Sequence, residues 1–348
     1  MRASVIVPTF RRAEKLRACL RAIACQTADP GGYEVIVAID GHEPRTRDAA
    51  IAAWRAAGGR PDGLTITEGE QGGPCVARNR AIALASGGLL IFFNDDVIPR
   101  PGCIAAHLAA HDSLPVPAII TGDSPWRVQS PDSLFAQLLR ETSMVFFHHL
   151  MRAADDPRRD WGYRHAWLLN LSIPADAVRA VGGLRPIQRT YGRDDDELAF
   201  RLTRELGLPV YFRPEAEVLH DHAMTPREYL RREYELGYGA PAFALGAPGC
   251  ALDLFRRDVL SPAERADAAE LVSRHQSQAA ALLPWFVRLA QSPPEPALSA
   301  HAAQAHAQRH LPLKRWVWRR GLLDALDGHA LRPDDALDCL GHEAVAAA

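Results

Sequence analysis

The chain has 348 residues, 47% hydrophobic and 24% charged, with 40 Lys and Arg against 42 Asp and Glu and a formal net charge of −2. That length holds one large α/β domain with a smaller appendage, or two domains. The composition excludes a disordered or fibrous chain, and the near-neutral balance gives no electrostatic footprint for nucleic acid. Six cysteines (Cys19, Cys25, Cys75, Cys103, Cys250 and Cys339) form no C-x-x-C pair, which argues against a structural zinc site and a secreted disulfide framework. The N-terminal run is cut short by Pro8, too early for a signal peptide, and no apolar stretch reaches the ~20 residues of a membrane span. A cytoplasmic protein with reduced thiols is expected.

The first hundred residues alternate strand and helix. The runs "SVIVPTF" (4–10), "YEVIVAID" (33–40), "LTITE" (64–68) and "LLIFFND" (89–95) read as strands. Between them lie helical segments, the first with Leu16, Leu20 and Ile23 on one face and the last, "GGPCVARNRAIALASGG", opened and closed by glycines. Short apolar strands separated by amphipathic helices predict a mostly parallel sheet with helices on both faces, and such sheets bind ligands at the carboxyl ends of their strands. Thr9, Asp40 and Asp95-Asp96 fall at that edge. From about 115 to 225 the pattern is mixed: "AIITGD" and "AWLLNLSIP" predict strands, 132–151 one helix, and "LPVYFRPEAEVLH" two short strands. Leu198, Leu202 and Leu206 mark a helix that begins near an acidic run. Thr225, Pro226 and Glu228 have capping-box spacing. Residues 250–348 predict a helical region interrupted by the loop "QSPPEPALS".

Five constellations could carry chemistry. Asn94-Asp95-Asp96 ends an apolar strand, where two adjacent carboxylates repel unless something cationic lies between them; the alternative is a solvated turn. A divalent cation arriving with a diphosphate would meet that need, since manganese and magnesium prefer hard oxygen ligands. "GGPCVARN" (72–79) puts glycines at a helix start with Arg78 and Asn79 one turn in, an anion site by backbone N–H and guanidinium. It lacks the endings of a P-loop or a dinucleotide fingerprint. "RDDDELAFRL" (193–202) stacks four acids at a helix start. They would stabilise the helix dipole, and their mutual repulsion would raise the pKa of one of them toward that of a general base. His220 and His222 alternate after a strand and so share a face, a workable pair for metal or phosphate. "LPLKRWVWRRGLLDAL" (311–326) is basic and aromatic, suited to an anionic membrane surface or to packing with its arginines in water.

The order of these motifs resembles the family 2 glycosyltransferases of GT-A-type fold. It is carried by "VIVPTFRR", "EVIVAIDG", "GGPCVARNRAIALASG", "FFNDDVIPRPG", "GGLRP", "GRDDDELAFRL" and "VLHDH", over about residues 3–240. The resemblance implies a donor-binding half in 1–115 and an acceptor-binding, catalytic half in 116–245, with 250–348 as a helical C-terminal region outside it. It also implies that Pro8, Thr9 and Arg11 meet the nucleotide and that Asp40 contacts base or ribose. Gly73, Arg78 and Asn79 would lie beside the nucleotide, and Asn94 and Asp95 in the D-x-D region. Asp96 and His220 would hold Mn2+ or Mg2+, and Asp194-Asp195 would be the catalytic pair with Asp195 as base. The chain departs from the usual pattern in having Ile39-Asp40 for two aspartates, Asn94 for the first acid of D-x-D, and Asp194 for a glutamate.

The implied reaction is inverting transfer from a nucleoside-diphosphate sugar, UDP-linked as the expected form, to a hydroxyl of a glycan, lipid-linked or small-molecule acceptor. The segment 311–326 is a candidate for peripheral contact with the inner membrane face. A nucleotidyltransferase would need a glycine- and lysine-rich loop after the first strand, where this chain has "PTFRRAEK". A non-catalytic nucleotide-binding or scaffold protein would have no use for the intact "RDDDE".

Overall fold

Strands β1 (Ala3–Thr9), β2 (Tyr33–Asp40) and β4 (Leu89–Phe93) are apolar runs without alternation, and they are buried along nearly their whole length. That is the signature of strands covered on both faces. The computed structural model describes residues 2–187 and 192–346, the side chains of 342–346 excepted. With β3 (Leu64–Gly69), β6 (Ile119–Gly122), β7 (Asn170–Pro174) and β8 (Val210–Arg213) these strands form one seven-stranded sheet, in the order β3-β2-β1-β4-β7-β6-β8. Only β7 runs antiparallel to its neighbours, so the sheet is mostly parallel.

Val5 of β1 lies opposite Val35 of β2 and Ile91 of β4. This register brings Thr9, Asp40 and Asn94 to one edge of the sheet, the carboxyl edge that binds ligands in such folds. A separate antiparallel ribbon pairs β5 (Val97–Pro99) with β9 (Val218–His220), Val97 opposite His220. It ties the chain just after Asp96 to the histidine segment, and the Asp221 N–H donates to the Asp96 carbonyl at 2.7 Å.

The described residues divide into two compact units. The first, Met1–Arg127, Leu150–Pro186 and Asp194–His222, contains the whole sheet. Its helices are α1 (Ala13–Ala24), α2 (Pro44–Ala56), α3 (Pro74–Leu84), α4 (Cys103–Asp112), α7 (Ala175–Ala180) and α8 (Asp194–Glu205). In α1 the buried side chains are Leu16, Cys19, Leu20 and Ile23, the one-face spacing of an amphipathic helix.

The second unit, Val128–His149, Ile187–Arg193 and Ala223–Ala348, is helical. It holds α5 (Leu134–Glu141), α9 (Pro226–Tyr238), α10 (Ala240–Gly246), α11 (Pro248–Phe255), α12 (Pro262–Arg288), α13 (Ala300–Arg309), α14 (Leu311–Leu326) and α15 (Pro333–Ala346). Thr225 and Glu228 close the expected capping box on α9. Helices α9 and α14 pack through glycine. A Cβ on Gly237 would lie 1.9 Å from the Trp318 carbonyl oxygen, and one on Gly321 would lie 2.2 Å from that of Tyr234.

One expectation is corrected here. The single helix expected over 132–151 is broken into α5 and the short α6 (His148–Arg152). Thr142 ends α5 in extended backbone, and its hydroxyl donates back to the Leu138 carbonyl at 2.6 Å. In 311–326 part of the aromatic face is packed. Trp316 is 2% exposed and its indole N–H donates to the Val272 carbonyl at 2.9 Å. Three of the four basic groups of α14 face acids: Lys314 lies 3.4 Å from Glu233, Arg319 lies 3.9 Å from Glu264, and Arg320 pairs with Asp324, while Arg315 is exposed. Among the described residues no helix is long and apolar enough to cross a membrane.

Candidate active site at the strand ends

The cation demanded by the adjacent carboxylates is a residue of the chain itself. Asp95 and Asp96 are 4% and 5% exposed. The Arg12 guanidinium bridges them, Nη1 donating to Asp95 Oδ1 at 2.8 Å and Nη2 to Asp96 Oδ2 at 2.7 Å. The Thr9 hydroxyl donates to the other oxygen of Asp95 at 2.8 Å. Burial pushes the Asp95 carboxyl up to about 6; the charge of Asp96 adds to the rise, and Arg12 and Thr9 oppose it. Burial acts the same way on Asp96, but the imidazoles of His220 and His222 together with Arg12 outweigh it and hold that carboxyl well below the usual range.

The histidines reach Asp96 through the β5–β9 ribbon. His220 Nε2 lies 3.7 Å and His222 Nδ1 lies 3.4 Å from Asp96 Oδ2. Their rings stack at 5.5 Å, and the Trp126 ring lies 4.4 Å from His220. Asp221, between them in sequence, points elsewhere, to Lys15 at 2.8 Å and Arg127 at 3.3 Å. Ligand atoms of Asp96, His220 and His222 all lie within 4.8 Å of one another. Asp96 Oδ1 is buried with no hydrogen-bond partner among the described residues. A buried carboxylate with one oxygen open and two imidazoles facing the other fits a divalent cation of the manganese type, which accepts mixed oxygen and nitrogen ligands.

The remaining predicted nucleotide contacts divide. Arg78, 7% exposed, donates from Nη2 to Asn94 Oδ1 at 2.8 Å, and its charge is felt by Asp95, Asp194 and Asp195 alike. Pro8 sits in the β1 ladder opposite Ala38. The Asp40 carboxylate accepts the N–H groups of Gly72 and Gly73 at 2.8 and 2.9 Å, so it shapes the start of α3. There Gly73 takes φ +88°, open to glycine and rare for other residues. Asn79 donates to the Leu184 carbonyl at 2.7 Å and accepts its N–H at 2.9 Å, which uses both ends of the amide. Arg11, at φ +54°, turns outward to Glu43 at 3.2 Å. The next residue, Arg12, is the one that meets the carboxylates. Sequence reading missed it, although the demand for a cation between two acids was the signal.

The acidic run parts into two roles. Glu197, 2% exposed, is gripped by both arms of Arg201 at 2.6 Å. Arg201 also donates to the carbonyls of Gly183, at 2.7 Å, and Val181. Glu197 is therefore structural. Asp194 hydrogen-bonds to the Cys75 thiol, and burial raises its pKa. Asp195 accepts the Asp196 N–H at 3.0 Å, and burial, reinforced by the charges of Asp196 and Asp194, pushes its carboxyl up to about 7. A half-covered carboxyl that titrates near neutrality can take and release a proton at physiological pH.

Residues 4–163 match the family described as "Glycosyl transferase family 2". Validoxylamine A glucosyltransferase from Streptomyces hygroscopicus subsp. limoneus is 28% identical over 241 residues, covering 60% of this chain and 49% of its own. Pre-mycofactocin glycosyltransferase from Mycobacterium tuberculosis (strain CDC 1551 / Oshkosh) is 24% identical over 257 residues, covering 70% and 48%. The chain spans about half the length of these relatives. In fold it is similar to the mannosyltransferase PcManGT from Pyrobaculum calidifontis, solved in complex with GDP-Man and Mn2+, at TM-score 0.52, 18% identity and coverage of 100% of this chain and 81% of that one. It is also similar to S. aureus TarS, at TM-score 0.51, 14% identity and coverage of 91% and 55%. With its mostly parallel sheet and carboxylates at the strand ends, the chain is similar to glycosyltransferase family 2 over residues 4–163.

Proposed function

We propose that the protein transfers a sugar from a nucleoside-diphosphate sugar to an acceptor hydroxyl, with inversion at the anomeric carbon and Asp195 as general base. The observation that carries this reading is the cluster of Asp96, His220 and His222 at the end of β4, in which one oxygen of the Asp96 carboxylate is left without a partner. It lies in a chain whose residues 4–163 match that family and which also holds a carboxyl raised to about 7 in Asp195. Asp195 takes the proton of the acceptor hydroxyl as that oxygen attacks opposite the leaving diphosphate. Asp194 keeps negative charge beside it and thereby sustains its basicity. Arg78 supports the carboxylates on both sides and offers positive charge toward the donor. Thr9 and Asn94 fix Asp95 and Arg78 in place. Mn2+ or Mg2+ held by Asp96, His220 and His222 would neutralise charge growing on the diphosphate. A glycan, lipid-linked or small-molecule hydroxyl serves as acceptor, and the cytoplasm, where the thiols stay reduced, is the setting.

A thermal-shift panel of UDP, GDP, dTDP, ADP and CDP, each with and without manganese, tests this proposal. UDP is the form expected from sequence, whereas PcManGT was solved with GDP-Man. A ligand at 100 times its Kd stabilises the folded state by about 2.7 kcal/mol, a rise of several degrees. The expected result is such a rise for one nucleotide, dependent on manganese and abolished in Asp96→Ala. If no nucleotide shifts the midpoint, the donor site is wrong and a scaffold role takes its place.

A further inference from the structure

We propose that Arg12 is a resident counter-ion that a divalent cation must displace from Asp96, so that the cation binds tightly only together with a diphosphate that takes over the guanidinium. The inference rests on the donor-site reading above and adds how that site is regulated. Arg12 is the N-cap of α1, and the only hydrogen bonds of its side chain among the described residues go to Asp95 and Asp96. Its side chain is 38% exposed where those carboxylates are 5% and 6% exposed. It therefore sits at the mouth of the site and can swing into solvent without unpacking the core.

The oxygen it holds is the contested one. Asp96 Oδ2 accepts Arg12 Nη2 at 2.7 Å and is also the atom faced by His220 Nε2 and His222 Nδ1. A dication among those three residues and a guanidinium on the same oxygen draw on one negative charge. They also repel each other where buried surroundings screen poorly. The neighbouring cations are engaged elsewhere, Lys15 and Arg127 on Asp221 and Arg78 on Asn94. Arg12 is thus the group that must yield. A planar fork that already bridges two carboxylates also suits paired phosphate oxygens. A diphosphate therefore provides the released guanidinium with a new partner, and cation and diphosphate bind with positive coupling. By linkage each tightens the other by the same factor.

The test is manganese titration of the full chain, read by the electron paramagnetic resonance of free Mn2+, alone and with saturating UDP or GDP. Arg12→Met is expected to bind manganese alone at least tenfold more tightly than the unaltered protein, and the enhancement by nucleotide is expected to shrink by a similar factor. Arg12→Lys keeps the charge but loses the fork, so its affinity should fall between the two; it serves as the test if the methionine variant does not fold. Equal or weaker manganese binding by the variants overturns this inference alone. Absence of manganese binding in every protein, with either nucleotide, overturns the donor-site reading and this inference with it.

Discussion

Replacing Asp195 by Asn is expected to lower kcat by about 10^2- to 10^4-fold, the usual contribution of a positioned general base, while nucleotide binding stays within a few-fold. In the unaltered protein only the ionised carboxylate can accept the acceptor's proton. With the group pushed up to about 7, kcat/KM should rise with pH through that value and level off above it. Stability runs the opposite way. The folded-state value lies above the ordinary 3.8, so the folded protein holds the proton more firmly than the unfolded chain, and stability falls as pH rises between the two values. Asn removes that penalty. The variant should therefore melt higher than the parent at about pH 8 and approach it near pH 4. Melting curves and pH–rate profiles measured together check both; an active Asn variant, or a flat profile across neutrality, would remove Asp195 from the mechanism.

Arg201→Met is expected to destabilise the first unit by about 3–5 kcal/mol, the cost of stripping one partner from a buried ion pair. Glu197 and Arg201 are 2% and 3% exposed, and the variant leaves the Glu197 carboxylate buried without its bidentate partner. Two backbone carbonyls, of Val181 and Gly183, lose a donor as well. Arg185, half exposed and 3.3 Å from Glu197, is left as its one weaker partner, so the double variant with Glu197→Gln should recover part of the loss by removing the poorly paired buried charge. Denaturant unfolding followed by tryptophan fluorescence measures it. A loss under about 1 kcal/mol would mean that solvent reaches the pair and screens it.

What the sequence revealed and what it hid follow from how local each feature is. The apolar run of β4 and the alternation of strands with helices come from period and burial, so the sheet and its ligand-binding edge were legible. The alternation of His220 and His222 likewise put both on one face, but that His222 joins His220 at Asp96 came only with the β5–β9 ribbon. Arg11 and Arg12 are indistinguishable by type; only the left-handed backbone at Arg11 decides that its neighbour faces the acids. Asn79 sits one turn into an anion-binding helix start, yet its partner is Leu184, 105 positions away. Nothing in the local pattern announces that pairing. The resemblance singled out Asp194 and Asp195 from the acidic run, but the local pattern alone did not show that Glu197 turns inward. Its i, i+4 spacing to Arg201 was the readable sign of that outcome.

The Asn79–Leu184 clamp has a bearing on how such a fold can change. A Cβ on Gly183 would press within 2.8 Å of the Asn79 amide oxygen, and Arg201 holds the same turn from its other side. Random mutagenesis scored by lost activity would place Asn79, Gly183 and Arg201 among the essential positions, although none of them need ever meet a sugar. They form a knot between α3 and α8, the helices on which the proposed donor contacts and the proposed base lie. Descendants with new donors or acceptors are expected to inherit that knot unchanged and to draw their novelty from the loops around it.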